Sequence, residues 1–381
     1  MPNSTIEADV QLTHVGVAAA VDGTPLRLIY DLTPHGGSQG RVRGRLVATP
    51  RLNLSDYKVS ACVDWIDLKF RTIDASQNQH VSKKLQAFSP RTPFVTDWSR
   101  REGADAGTHK QFIVRLQEPG VDVLGIADAI DKRWGLDGHV KIAGLEVSLD
   151  IFPKDGSDEK RWLMTTMLAR SYVPLTDFMG PGLDQMRCFT TGPRGETVPN
   201  IMIRGGSGSG LDGLAGDPAN HHPPMADGTT CFGAKGGPVM VSIQNKISDR
   251  RMGRTATSLP PEQRRTRVEV RLLGAGLEAL GLHVLGDLDP AHRVTNFAHL
   301  RPDIFSFRLP TFDPADPRDG KRREIFSKTG VYGLERHELP ERDARRCGAG
   351  TTIAFSALND RLQQALTRLD DRSRRGITRA A

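Results

Sequence analysis

Residues 140–151 read VKIAGLEVSLDI, and the reading of this stretch decides the fold class. Leu145, Val147 and Leu149 fall on one face of an extended chain, and Glu146, Ser148 and Asp150 fall on the other. A period of two with branched aliphatics marks a half-buried strand and not a helix. Similar segments lie on either side: residues 61–71 (ACVDWIDLKFR), 111–117 (QFIVRLQ) and 267–273 (RVEVRLL) each alternate. Helical spacing separates them. Residues 81–88 form a short helical stretch, and Val123, Ile126, Ala127, Ile130 and Trp134 line one helical face. Ser157, Asp158 and Glu159 cap a helix running through Trp162, Leu163, Met167 and Leu168 to about Arg170. This alternation predicts an α+β fold, a mostly antiparallel sheet with helices on one face, of the split βαβ kind.

Around that pattern, residues 1–55 read as an N-terminal extension with candidate strands at 10–18 and 25–32, 56–310 as the α+β domain and 311–381 as a charged C-terminal tail. The tail ends in a basic helix over residues 356–374, with Leu358, Leu362, Leu366 and Leu369 on one side. Inside the domain, residues 173–228 are glycine- and proline-rich and aperiodic, which predicts a long mobile loop. Residues 230–233 and 238–245 predict a strand pair around a glycine turn.

Composition narrows the function. The chain has 381 residues, 38% of them hydrophobic, and a formal net charge of +7. No run of about 18 apolar residues occurs, which argues against a membrane span. The first ten residues lack a basic segment followed by an apolar one, so a cytoplasmic protein is expected. Cys62, Cys188, Cys231 and Cys347 lie far apart without zinc spacing and read as reduced thiols. A basic chain rich in arginine favours a polyanionic partner, because the guanidinium fork suits phosphate.

Glu146 and Asp150 are the strongest candidates for chemistry. Two carboxylates on one face of a buried strand must bind a metal or pair with arginine, and hard oxygen ligands suit Mg²⁺ or Mn²⁺. A solvated face or a cross-strand ion pair fits the same pattern. Strict alternation places Asp64 and Ile66 on one face and Asp67 on the other. Arg267, Glu269 and Arg271 share a face, as in an ion-pair ladder or a polyanion surface. The turn at residues 233–237 brings backbone amides and Lys235 within reach of a phosphate. There is no His-x-His pair, Walker A or HExxH motif.

Several phrases in order resemble the replication initiation factor family, the rolling-circle initiators of filamentous phages, integrative elements and some plasmids. They are VDWIDL (63–68), LEVSLDIF (145–152), CFGAK (231–235) leading to QNK (244–246), RVEVRLL (267–273) and FAHLRPDIFSF (297–307). The resemblance spans roughly residues 61–310. It implies a protein that binds double- and single-stranded origin DNA, works with a host helicase and nicks one strand by metal-assisted transesterification. Matched by position, Glu146, Asp150 and Glu269 would hold Mg²⁺ or Mn²⁺, and Lys235, Arg267 and Arg271 would contact DNA. Lys246 matches a catalytic lysine, and Gln244 stands where the family has its nucleophilic tyrosine. Glutamine forms no phosphotyrosyl link. Nicking by another of the four tyrosines, or a catalytically silent origin-recognition or regulatory protein of the same fold, are the two readings that follow.

Overall fold

A computed structural model describes residues 5–36, 42–97, 107–119, 123, 125–173, 188–192, 197–200, 217–233, 236–249, 256–288, 297–338 and 352–380. The N-terminal strands are β1 (Thr5–Asp9), β2 (Gln11–Leu12), β3 (Gly16–Val17), β4 (Arg27–Pro34) and β5 (Leu46–Pro50). Next come β6 (Tyr57–Ser76), α1 (Asn78–Leu85), β7 (Phe94–Asp97), β8 (His109–Gln117), α2 (Ile126–Trp134), β9 (Lys141–Pro153) and α3 (Asp158–Ser171). The second half of the domain holds β10 (Cys188–Thr191), β11 (Thr197–Pro199), β12 (Thr229–Phe232), β13 (Val239–Lys246), β14 (Ser248–Asp249), β15 (Thr257–Ser258), β16 (Arg265–Leu273) and α4 (Ala275–Ala279). The C-terminal region adds α5 (Leu300–Asp303), β17 (Arg308–Phe312), α6 (Asp319–Glu338), β18 (Thr352–Ala354) and α7 (Ser356–Ala380).

The chain is α+β with mostly antiparallel sheets. Nine strands form the main sheet in the order β11-β10-β12-β13-β16-β9-β6-β8-β7, and each pairing in it is antiparallel. Because β8 and β9 both run antiparallel to β6, they run parallel to each other. Helix α2 connects them, and β6 lies between them in the sheet.

The alternation in the sequence has a direct consequence for packing. Leu145, Val147, Leu149 and Ile151 of β9, with Val268, Val270 and Leu272 of β16, are almost wholly buried on one face. Val81, Leu85, Ile126, Ile130, Trp134, Met164, Met167 and Leu168 from α1, α2 and α3 belong to the same core. Helix α3 starts where expected: the Ser157 side chain accepts a hydrogen bond from the Lys160 amide, satisfying an N-terminal donor that has no partner in the helix.

Residues 5–50, expected as an extension, instead supply β1, β4 and β5 of a second, five-stranded sheet. Its remaining strands, β17 and β18, come from the region expected as a charged tail. Both ends of the chain thus close one unit beside the main sheet. Helix α6, which the charged composition of residues 319–338 concealed, packs on it: Phe326 stacks on Tyr30 and Phe312. Gly330 breaks α6 with a φ of 73° and lies against the backbone of Arg170, where a Cβ would come within 2.4 Å of its Cα. Only glycine combines that conformation with that approach. Of the expected loop, residues 188–191 and 197–199 form two strands at one side of the main sheet, while residues 174–187, 193–196 and 201–216 lie outside the described residues. No helix among the described residues is long and apolar enough to cross a membrane.

Candidate metal and nucleic-acid site

The second face of the main sheet is polar, and a slip in register shapes it. On β6, Val63 pairs with Val147, but Trp65, not Asp64, faces Glu146. Asp64 is thus an extra residue, a bulge that re-aims side chains. Strict alternation put Asp64 with Ile66 and Asp67 opposite. In the structure Ile66 belongs to the apolar core, while Asp64, Trp65 and Asp67 lie on the polar side, because the bulge inverts the parity before Trp65.

Carboxylate oxygens of Asp64, Glu146 and Glu269 consequently all lie within 4.8 Å of one another, contributed by β6, β9 and β16. The register explains the meeting. Glu269 pairs with Ser148 and Arg271 with Glu146 across β16 and β9. Ser148 is fully buried on the same face, and its Oγ has no hydrogen-bond partner among the described residues. Burial, then the neighbouring Glu269 charge, pushes the Glu146 carboxyl up to about 7 against the opposing pull of Arg271. Burial likewise raises Glu269, with Arg267 opposing. Three acids this close repel one another once ionised, and a cation between them relieves that repulsion.

Arginines frame the cluster. Arg271 donates from Nε to Glu146 Oε2 at 3.1 Å. Ser242 donates to Glu269 Oε2 at 3.1 Å. Arg267 is only 4% exposed, and its guanidinium donates to Asp150 from Nε at 2.6 Å and Nη2 at 2.8 Å, and to Asp64 from Nη1 at 3.0 Å. Arg265 also ion-pairs with Asp150 at 3.0 Å.

The residues singled out from sequence separate accordingly. Glu146 and Glu269 come together as expected. Asp150 is held by Arg267 and Arg265, and the third carboxylate of the cluster is Asp64. Arg267 is enclosed among acids, so Arg271, with a third of its side chain open to solvent, is the arginine of that pair that presents itself. Gln244 and Lys246 lie on β13, Gln244 opposite Arg267 and Lys246 ion-paired with Asp249 at 3.2 Å. Lys235 lies outside the described residues. The cue for Asp64 was present in the adjacent pair Asp64-Trp65, two large side chains where alternation allows one.

None of the four tyrosines reaches this face. Tyr30, Tyr57, Tyr172 and Tyr332 are all at most 4% exposed and all belong to the hydrophobic core. Tyr172 packs on Phe232 and Phe307, and Tyr332 on Phe232. The Tyr57 hydroxyl donates to the Lys160 carbonyl at 3.0 Å. Burial raises the phenols of Tyr30, Tyr57 and Tyr172. Cys62, near Asp150, has its thiol pushed up to about 12 by burial and that carboxylate, so it is no ready nucleophile.

No protein-family model matches this chain, and no curated protein does. The functional reading therefore rests on the geometry of the polar face.

Proposed function

We propose that this chain is a DNA-binding protein of the replication-initiator kind, belonging to a mobile element, that uses its polar sheet face to act on one strand of origin DNA. The observation that carries the reading is the convergence of Asp64, Glu146 and Glu269 within 4.8 Å on a face bordered by arginines. The β8–α2–β9 crossover around β6 supports it, since the strand–helix alternation of the sequence predicts a split βαβ core.

The residues fit a divalent cation. Three hard oxygens come from three strands of one sheet, and Ser148, whose buried oxygen has no partner among the described residues, pairs in register with Glu269. Such an ion, Mg²⁺ or Mn²⁺, would neutralise and polarise a phosphate. The protein supplies the rest. Arg271, anchored on Glu146, is placed to receive a phosphate, Lys246 adds positive charge on the neighbouring strand, and Arg267 holds Asp64, Asp150 and Glu269 in fixed positions.

A second reading is favoured by the burial of all four tyrosines: a protein of the same fold that recognises the origin without forming a covalent link. One experiment separates the two. The purified chain is incubated with Mn²⁺ and a supercoiled plasmid carrying its neighbouring DNA, with a gel shift on the same DNA. Nicked circles with a denaturant-stable adduct support transesterification. Nicked circles without one point to water as the nucleophile. A salt-sensitive shift without nicks supports the silent protein, and no shift at any salt removes the DNA reading.

A further inference from the structure

Beside the carboxylates, the polar face carries a second built feature. The benzo edge of the Trp65 indole lies against Gly144 of β9, close enough that a Cβ there would sit 2.9 Å from Trp65 Cζ3. The centre of the Arg115 guanidinium lies 4.2 Å from the indole centroid, and that of Arg271 lies 5.7 Å away. Arg115 is locked in plane by two further bonds, Nε and Nη2 donating to Asp67 at 2.7 and 2.6 Å. Yet 42% of its side chain remains open to solvent, against 15% for Asp67. Trp65 itself is 7% exposed, so it acts as a floor and not as a contact surface.

We propose that Arg115, laid on Trp65 and clamped by Asp67, is a stacking platform that seats one unpaired nucleobase of a DNA strand beside the carboxylates. The inference rests on the DNA reading of the face and names the residue that holds the base. A guanidinium plane offers both dispersion and cation–π attraction to a base. In a duplex, both faces of each interior base are already covered by neighbouring bases, so a flat platform gains nothing from it. Unpaired bases have free faces. Position favours the same conclusion. Trp65 follows Asp64 in the chain, and Arg271, the other guanidinium on the indole, is bonded to Glu146. A base on Arg115 therefore directs its backbone toward Arg271 and the carboxylates. A surface arginine serving charge alone needs neither the indole floor nor the bidentate clamp, and lysine would serve as well.

The test uses the full chain and a fluorescein-labelled 20-nucleotide strand of mixed sequence, alone or annealed to its complement, with affinity read by anisotropy at fixed salt. Arg115→Ala and Arg115→Lys are compared with the wild type, and an abasic residue is walked along the strand. Tryptophan fluorescence and thermal midpoints confirm that each variant is folded. Tighter binding of the single strand is expected, with a loss of roughly five- to hundredfold on Arg115→Ala. Arg115→Lys should lose most of that amount although the charge is kept. An abasic residue at one position should weaken the wild type and leave Arg115→Ala unmoved. Equal single-strand affinity in all three proteins, or preference for the duplex, overturns the platform while leaving the DNA reading in place. No binding of either form at low salt overturns both.

Discussion

Asp150 and Arg267 face each other across β9 and β16 as a two-pronged ion pair, with bonds of 2.6 and 2.8 Å, in a setting where neither residue is more than 6% exposed. Arg267 also reaches Asp64 at 3.0 Å and Glu269 at 3.6 Å. One guanidinium therefore offsets carboxylates from β6, β9 and β16. Removing it takes the ion-pair partner from Asp64 and Glu269 and leaves Asp150 with Arg265 alone, a change that costs about 3–5 kcal/mol for a buried pair. Arg267→Ala is expected to lose stability on that order in urea unfolding at pH 7. A loss below about 1 kcal/mol, the range of surface pairs, would mean that water reaches this face.

The division of labour between Asp150 and Asp64 is testable with a probe cation. Terbium luminescence, sensitised by Trp65 at the edge of the cluster, reports binding without any substrate. Asp64→Asn and Glu146→Gln are expected to weaken terbium and Mn²⁺ binding strongly, because each removes a convergent oxygen. Asp150→Asn should leave binding close to the wild type. Weakening by Asp150→Asn alone would return the site to the spacing read from β9 by itself.

That contrast shows how far the sequence carries. The strands β6, β8, β9 and β16, the helices α2 and α3, and the cap at Ser157 are all legible, since a hydrophobic period is a local property. Glu146 and Glu269 follow from the same period. Asp64 does not, because one inserted residue reverses every side chain before it, and its effect depends on the partner strand. A strand at 25–32, seen as β4, was legible, but the pairing of the second sheet was not. Pairing of β5 with β17 joins residues more than two hundred and fifty positions apart, and nothing local in either strand encodes its partner. Helix α6 was hidden by its charges: Lys321 and Glu324 face outward, but Asp319 and Arg322 are buried along with Ile325, Phe326, Val331 and Leu334.

The cluster also sets a pH dependence. Glu146 is raised from 4.5 to about 7 in the folded chain. The folded state therefore holds its proton more tightly than the unfolded state does, and stability falls as pH rises from about 4.5 through about 7. A divalent cation binds the ionised form, so it should raise the melting temperature at pH 8 more than at pH 5.5. Glu146→Gln should flatten the metal-free profile over that interval. A melting temperature that rises between pH 5 and 7 without metal, and does so equally in Glu146→Gln, would place the ionised carboxylate in water.

Gly144 is the position where the indole needs bare backbone. A methyl group there meets Trp65 Cζ3 at 2.9 Å and Leu273 Cδ2 at 3.0 Å. Overpacking of this kind costs about 1–3 kcal/mol. Gly144→Ala is expected to lower stability in that range and to shift tryptophan emission toward that of exposed indole. Unchanged emission would show that the ring relaxes in place.

Helix α7 guards a strand edge. Residues 57–63 of β6 pair with β9 on one side only, because pairing with β8 begins at Trp65. On the open side the helix supplies arginines to the free carbonyls. Arg361 donates to Leu54 and Tyr57, Arg368 to Val59 at 3.2 Å, and Arg372 to Ala61 at 2.6 Å. Leu358, Leu362 and Leu366 are at most 1% exposed beneath it. An uncovered edge with an apolar flank is a template for aggregation. Truncation after Ala354 is therefore expected to give an aggregating chain without a cooperative unfolding transition. Arg368→Ala with Arg372→Ala should cost only about 1 kcal/mol each and leave the chain folded. If the basic helix were instead a DNA-binding arm, the truncated chain would stay monomeric and folded, and its DNA affinity would fall with a shallower dependence on salt.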